Sequence, residues 1–224
     1  MKMGRRTFVL GSVLAGLGMF GLMKNPEMSL GIYKRLGGKE VSPALVNLLS
    51  DGYVPENYQD YITPDDSIVQ KYAKEIEYES SPFVTFPSVY DIKAPPELKF
   101  EYFSDRELFK KRDHWQKPSE YLRRGAVGDC EDYATWAASD AEAKGYEARV
   151  IGGYISYEWD MSLSPHWNTE VKLNDEYYVM DVDRPKEAVR RDVFGKRLKR
   201  WGGEWKPLIM FGKECKLCVY DRWW

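Results

Sequence analysis

Apolar positions recur at helical spacing along residues 130–144. Cys130, Ala134, Ala137 and Ala141 lie four, three and four residues apart, and Gly145 follows as a natural stop. The run predicts a helix with one small, packable face, opened by the polar turn Gly128-Asp129 with Asp129 as its N-cap. From His166 the period changes to two: Trp167, Val171 and Leu173 share one parity, and His166, Asn168, Glu170 and Lys172 the other, the pattern of a half-buried strand. Asn174-Asp175 supplies turn chemistry. Residues 177–182 read as the return strand of a hairpin ending in two acids, Asp181 and Asp183. Upstream, Asp66 or Ser67 can cap a helix carrying Ile68, Val69, Tyr72, Ala73 and Ile76. Pro82, Pro87, Pro95 and Pro96 break residues 80–98 into short extended pieces, and Cys215 and Cys218 fall in a C-terminal stretch of strand-like composition.

The chemistry follows from where Cys130 stands. A thiol at a helix start meets unpaired backbone N–H groups and the positive end of the dipole, which favour thiolate. Asp129, Glu131 and Asp132 oppose this as like charges, so a basic partner is required. The chain has two histidines. His114 sits among Lys110, Lys111, Arg112 and Asp113 and reads as exposed, which leaves His166, on the half-buried strand, as the base. With a two-residue loop in the hairpin, Asn168 faces Asp181 and His166 faces Asp183, placing Asp181 diagonal to His166 at roughly 7–8 Å between backbone positions. Either acid could orient the imidazole, completing a set of nucleophile, base and orienter. The Cys130 backbone N–H is the first donor available to a developing oxyanion. Calcium held by Asp129, Glu131 and Asp132 is a secondary option, solvated charge compensating the dipole being the plainer reading.

The run Gly128-Asp129-Cys130-Glu131-Asp132-Tyr133-Ala134, the later His166 with Trp167 and Glu170-Val171 behind it, and Asp181 fifteen residues past the histidine together resemble the transglutaminase-like superfamily. The segment Asp113-His114-Trp115-Gln116-Lys117-Pro118-Ser119-Glu120-Tyr121-Leu122 is similar to the stretch before the nucleophile in prokaryotic transglutaminase-like cysteine proteinases. The resemblance implies an α+β, papain-like core in which a nucleophile helix packs on an antiparallel sheet. It implies catalysis by Cys130, His166 and Asp181, with Trp115, Gln116 and Tyr102 as candidates for the oxyanion site or the groove. The expected activity is hydrolysis of an amide bond in a protein or peptide through a thioester, without a cofactor and with no metal at the site. The alternatives are an acyl-transferring transglutaminase and a non-catalytic binding domain of the same fold. Two departures stand beside the resemblance: the family more often has a small residue between the histidine and the aromatic, where His166 is followed directly by Trp167, and an extra acid, Asp183, follows Asp181.

Charge and the N-terminal pattern bear on where the chain would act. Lys2, Arg5 and Arg6 precede a seventeen-residue stretch, 7–23, that carries no charge. Arg5-Arg6-Thr7-Phe8-Val9-Leu10 resembles a twin-arginine leader, and no small-x-small cleavage site follows it. Residues 1–24 are therefore expected to be a signal or membrane anchor, 25–100 a helical and irregular extension, and 101–224 the catalytic core, in an exported or membrane-anchored protein. Without residues 1–24 the chain carries 29 basic and 35 acidic side chains, a net charge of −6 that argues against nucleic acid as a partner. The basic run 190–200 reads as the wet face of a helix.

Overall fold

The structure, a computed structural model, describes residues 54–55, 57–80, 87–158, 160–213 and 217–219. The chain divides into two units, Met1–Val54 and Pro55–Trp224. The apolar run of the expected leader and Cys215 lie outside the described residues. Among the described residues no helix is long and apolar enough to cross a membrane.

After a 3-10 turn at Tyr58–Tyr61, the elements run α1 (Ser67–Ala73), β1 (Glu77–Glu79), β2 (Val89–Lys93), β3 (Glu101–Tyr102), α2 (Asp105–Leu108), α3 (Pro118–Arg123), β4 (Val127–Gly128) and α4 (Cys130–Ala143). They continue with β5 (Ala148–Tyr157), β6 (Asp160–Leu173), β7 (Glu176–Met180), β8 (Glu187–Arg190), α5 (Arg191–Arg200), β9 (Gly203–Phe211) and β10 (Cys218–Val219). Eight strands form one antiparallel sheet in the order β1-β2-β8-β7-β6-β5-β9-β10, and β3 pairs in parallel with β4. Strands β1 and β2, from the segment read as an extension, belong to the same sheet as the core hairpin.

The small face of α4 does what its spacing predicts. Ala134, Ala137 and Ala141 are fully buried, and Thr169 on β6 donates its hydroxyl to the Ala134 carbonyl at 2.6 Å, an approach that a larger helix residue would prevent. The far side of α4 is buried too: Trp136 packs against Phe100, Tyr121 and Tyr133. Asp66 caps α1 as expected, accepting the Ile68 N–H at 2.8 Å.

The hairpin register is the predicted one, with Thr169 opposite Met180 and Leu173 opposite Glu176. Asn174 and Asp175 both take positive φ, 49° and 64°, which suits a two-residue turn matched to strand twist. The expectation of a half-buried strand is corrected: His166, Asn168 and Glu170 are buried along with Trp167 and Val171. The reason is α5, whose Leu198 and Phe194 pack with Ile151, Ile155 and Trp205 over the second face. Glu170 is tolerated there because Arg149 and Arg191 donate to its Oε2 at 2.7 and 2.5 Å. The basic run that builds α5 does present a wet face, with Lys196, Lys199 and Arg200 exposed.

Candidate active site

Cys130 is the first residue of α4, and long-range contacts fix the approach to it. Phe103 donates its N–H to the Gly128 carbonyl at 2.9 Å, holding β3 beside β4. Gln116 binds Asp132 twice, through its backbone N–H at 2.7 Å and its amide at 2.5 Å, and also donates to the Val127 carbonyl at 3.1 Å. Asp132 is fully buried. Burial and the charge of Asp129 push its carboxyl up, against the pull of the Gln116 bonds. Asp129 stands at the N-cap position but makes no side-chain cap; its Oδ2 accepts the Asp105 N–H at 3.3 Å instead. The predicted capping role is thus replaced by a tie to α2.

The Cys130 sulfur lies within hydrogen-bonding distance of Glu131 Oε2, at 3.3 Å, and accepts the backbone N–H of Trp167. Strand geometry makes the second contact possible. The β6–β7 pairing ends at Thr169, so Trp167 lies past the end of β7, where a group from the helix start can reach the strand backbone. Burial, followed by Glu131 and Asp129, pushes the Cys130 thiol well above its usual range. Burial and the neighbouring carboxylates together outweigh the Trp167 N–H, which favours the thiolate.

One residue before Trp167, His166 Nε2 lies 2.8 Å from Asp181 Oδ2, both side chains being buried. The diagonal gap predicted between these strands is therefore closed by side chains. Asp181 Oδ1 accepts the Asp183 N–H at 3.0 Å, which fixes the carboxylate's orientation, and the Tyr133 hydroxyl ties the following loop to α4 through the Pro185 carbonyl at 3.0 Å. Trp205 meets the imidazole edge-on at 5.7 Å. Burial pulls the His166 pKa down, but the charge and hydrogen bond of Asp181 outweigh it and hold it above 6.5. Burial pushes Asp181 up, yet His166 and the Asp183 N–H hold it below 3.8.

A pH prediction follows. The raised histidine contributes stability that is full below its unfolded value near 6.5 and fades as pH rises through its folded value. The lowered aspartate contributes stability that is present above 3.8 and is lost as pH falls through its folded value. The pair should therefore stabilise the fold most between these limits. Urea denaturation of wild type and Asp181→Asn is expected to show the largest difference near pH 5 and a smaller one at pH 9.

The other predicted residues separate. Trp115 lies in an aromatic core against Trp167 (5.1 Å), Tyr61 (5.6 Å) and Phe211 (6.2 Å). Gln116 is committed to Asp132 and Val127. Tyr102, 57% exposed and paired with Gly128, stands on the rim near Cys130, whose charge, after burial, helps to raise its phenol. His114 is partly buried rather than exposed, since its N–H donates to Asp105 and its ring packs on Phe109 at 4.3 Å.

The three acids around Cys130 do not act as one group. Asp132 turns to Gln116, while Asp129 and Glu131 meet Asp105, their nearest carboxylate oxygens lying within 4.8 Å of one another. Asp105 Oδ1 and Asp129 Oδ1 are buried without a hydrogen-bond partner. Burial first, then neighbouring carboxylates, pushes both Asp113 and Asp129 up to about 6. Asp105 carries no sequence signal linking it to Cys130, because the β3–β4 contact and its N–H bond to Asp129 bring it there.

Comparison with known proteins adds three solved structures from Legionella pneumophila. LapG in its calcium-bound form is 18% identical, with 69% of this chain and 66% of that chain covered and a TM-score of 0.37. EGTA-treated LapG is also 18% identical, over 75% and 69% at 0.36, as is LapG over 80% and 77% at 0.36. No curated protein matches. The sequence profile of the transglutaminase-like superfamily matches residues 66–182, a little over half of the 224. That span runs from α1 through the cysteine helix and the histidine strand to the end of the hairpin, and by it the chain belongs to the transglutaminase-like superfamily.

Proposed function

We propose that the protein is a cysteine hydrolase of polypeptide amide bonds. The observation that carries this is the buried His166–Asp181 pair at 2.8 Å, one strand residue from the backbone N–H that touches the Cys130 sulfur. Asp181 occupies Nε2, which leaves Nδ1 as the nitrogen that serves the thiol. In this reading Nδ1 takes the Cys130 proton as the sulfur attacks the substrate carbonyl, and the Cys130 N–H donates to the oxyanion. The imidazolium, stabilised by Asp181, then protonates the departing amine, and a thioester remains. His166 activates water to release the acyl group, and the thiol is restored. Tyr102, exposed on the rim, lines the groove.

A peptidyl electrophile that reacts only with activated cysteines tests the reading. Stoichiometric labelling at Cys130 supports it, whereas folded protein that stays unlabelled favours a binding domain. A labelled primary amine supplied with peptide substrate separates hydrolysis from transfer, and incorporation outrunning hydrolysis would overturn the hydrolase assignment.

A hard divalent cation fits the residues beside the site. Asp105, Asp129 and Glu131 offer hard oxygen donors, and two buried carboxylate oxygens among them lack any partner. Burial pushes these three carboxyls up, neighbouring carboxylates add to it at Asp129 and Glu131, and a bound divalent cation would offset the repulsion among them. Calcium held there would neutralise charge next to the thiol. Adding calcium is expected to raise the melting temperature by several degrees, EGTA to reverse it, and Asp105→Asn with Glu131→Gln to abolish it, as read by differential scanning fluorimetry. An unchanged melting temperature in wild type would remove the cation from this account.

A further inference from the structure

Strand β6 is longer than the partner beside it. Its pairing with β7 starts at Thr169, opposite Met180, whereas β6 itself begins at Asp160. β7 stops where the chain turns: Arg184 donates its N–H to the Asp181 carbonyl at 3.0 Å, and Asp183 donates its own to the Asp181 carboxylate. Among the described residues no strand lies beside β6 on that side before Thr169, while the opposite side stays paired with β5 as far as Ser164. Residues 164–168 are therefore an open strand edge within the sheet, and His166 stands in it.

The hairpin decides which backbone groups face the opening. Leu173 and Glu176 flank the two-residue turn and exchange both their hydrogen bonds, so every second residue back from Leu173 points its N–H and C=O the same way. The Lys172 N–H, of the other parity, goes to the Glu147 carbonyl on the β5 side. Val171 and Thr169 meet β7, and the Trp167 N–H meets the Cys130 sulfur. Pro165 comes next. Proline is confined to strand edges with its nitrogen toward the open side, and among the described residues no backbone N–H donates to the Pro165 carbonyl. Exposure falls along the edge from Ser164, exposed, through Pro165, half-buried, to the buried His166, so the edge descends from solvent into the site. Pro165 and Trp167 are two residues apart, roughly 7 Å of strand, with the sulfur at the buried end.

An unpaired carbonyl on a strand edge is matched by the N–H of another extended chain. We propose that this edge takes the polypeptide substrate as an added strand, a backbone N–H of the substrate donating to the Pro165 carbonyl and a substrate carbonyl within two residues of it meeting the Cys130 sulfur. The inference rests on Cys130 being the nucleophile proposed above, and it names what that nucleophile receives. The substrate is a segment held extended, a linker or an unfolded stretch, and it is read here through its main chain. Its side chains are not needed for this contact, so a featureless sequence is admitted.

Acetyl-tetra-alanyl acyloxymethyl ketone tests it on the full-length protein. The Cys130 sulfur displaces the carboxylate leaving group and forms a thioether, and the rate is read by mass spectrometry of the Cys130 peptide. Four analogues each carry one N-methyl group, which removes a single N–H donor and leaves charge and side chains alone. Methylation of one of the two amides nearest the ketone should slow labelling by about tenfold or more, and methylation of the amide next to it by less than about twofold, because successive N–H groups of a strand face opposite ways. Rates within about twofold of the parent for all four analogues would overturn the docking edge while leaving the nucleophile intact. The edge would then belong to a second copy if light scattering finds a dimer, and to another segment of this chain if it finds a monomer. Labelling by iodoacetamide but not by the parent peptide would also overturn the edge, since a contact read through the main chain must admit polyalanine. Folded protein in which neither reagent reaches Cys130 would sink the nucleophile and the edge together.

Discussion

Replacing His166 with alanine is expected to slow inactivation of Cys130 by a peptidyl acyloxymethyl ketone on the order of a thousandfold, because the variant loses the only imidazole beside the thiol's strand contact. The size of the effect follows from the environment of the sulfur. Burial, Glu131 and Asp129 all hold the thiol protonated, so little thiolate exists unless a base takes the proton. Asp181→Ala should fall nearly as far, since it leaves His166 buried without the carboxylate that fixes its tautomer and supports its charge. The double variant should be little worse than His166→Ala alone. Groups that act in series lose their joint effect once, and the interaction term in the cycle would then be close to the full effect of Asp181→Ala. Additive losses would mean that Asp181 acts on something other than the imidazole.

The second large effect is on stability. Gly153 pairs with His166 on one side and Pro207 on the other, at an irregularity in the β5–β9 register. A Cβ there would stand 2.1 Å from the Lys206 carbonyl oxygen and 2.9 Å from its carbon. The obstacle is backbone of a central strand, which cannot swing aside as a side chain can, so the sheet must shift. Gly153→Ala is expected to cost about 3 kcal/mol or more in urea denaturation and to disturb the His166 position with it. Gly195→Ala is the control. It lies inside α5 with no atom within 4 Å of the added methyl, and the same substitution should stabilise by about 0.5–1 kcal/mol.

The parts of the fold set by local periodicity were legible in the chain. The alanine spacing placed α4 and the face it buries, and Asn174-Asp175 set a two-residue loop from which the whole hairpin register follows, including the diagonal relation of His166 and Asp181. The transglutaminase-like resemblance supplied the sheet on which that helix packs. Features created by distant contacts were not legible. Nothing between His166 and Leu173 announces that α5 covers their second face, so the polar parity read as exposed. The run of acids at 129, 131 and 132 looked like one group, but α-helical geometry sends neighbouring side chains in different directions. Asp132 thus reaches Gln116, and Asp129 and Glu131 reach Asp105. A cap was expected at Asp129 from its position alone, and a competing backbone N–H at Asp105 took the carboxylate.

The spatial claim beneath the whole account is that the thiol of Cys130 and the free nitrogen of His166 face each other closely enough to share a proton. A bifunctional alkylator with a three-carbon span, 1,3-dibromoacetone, reads that distance directly on the native protein. The expected product is an intramolecular bridge between Cys130 and His166, seen as one cross-linked peptide pair and absent from His166→Ala. Cys130 alkylated at one end only, with His166 recovered unmodified, would contradict the account.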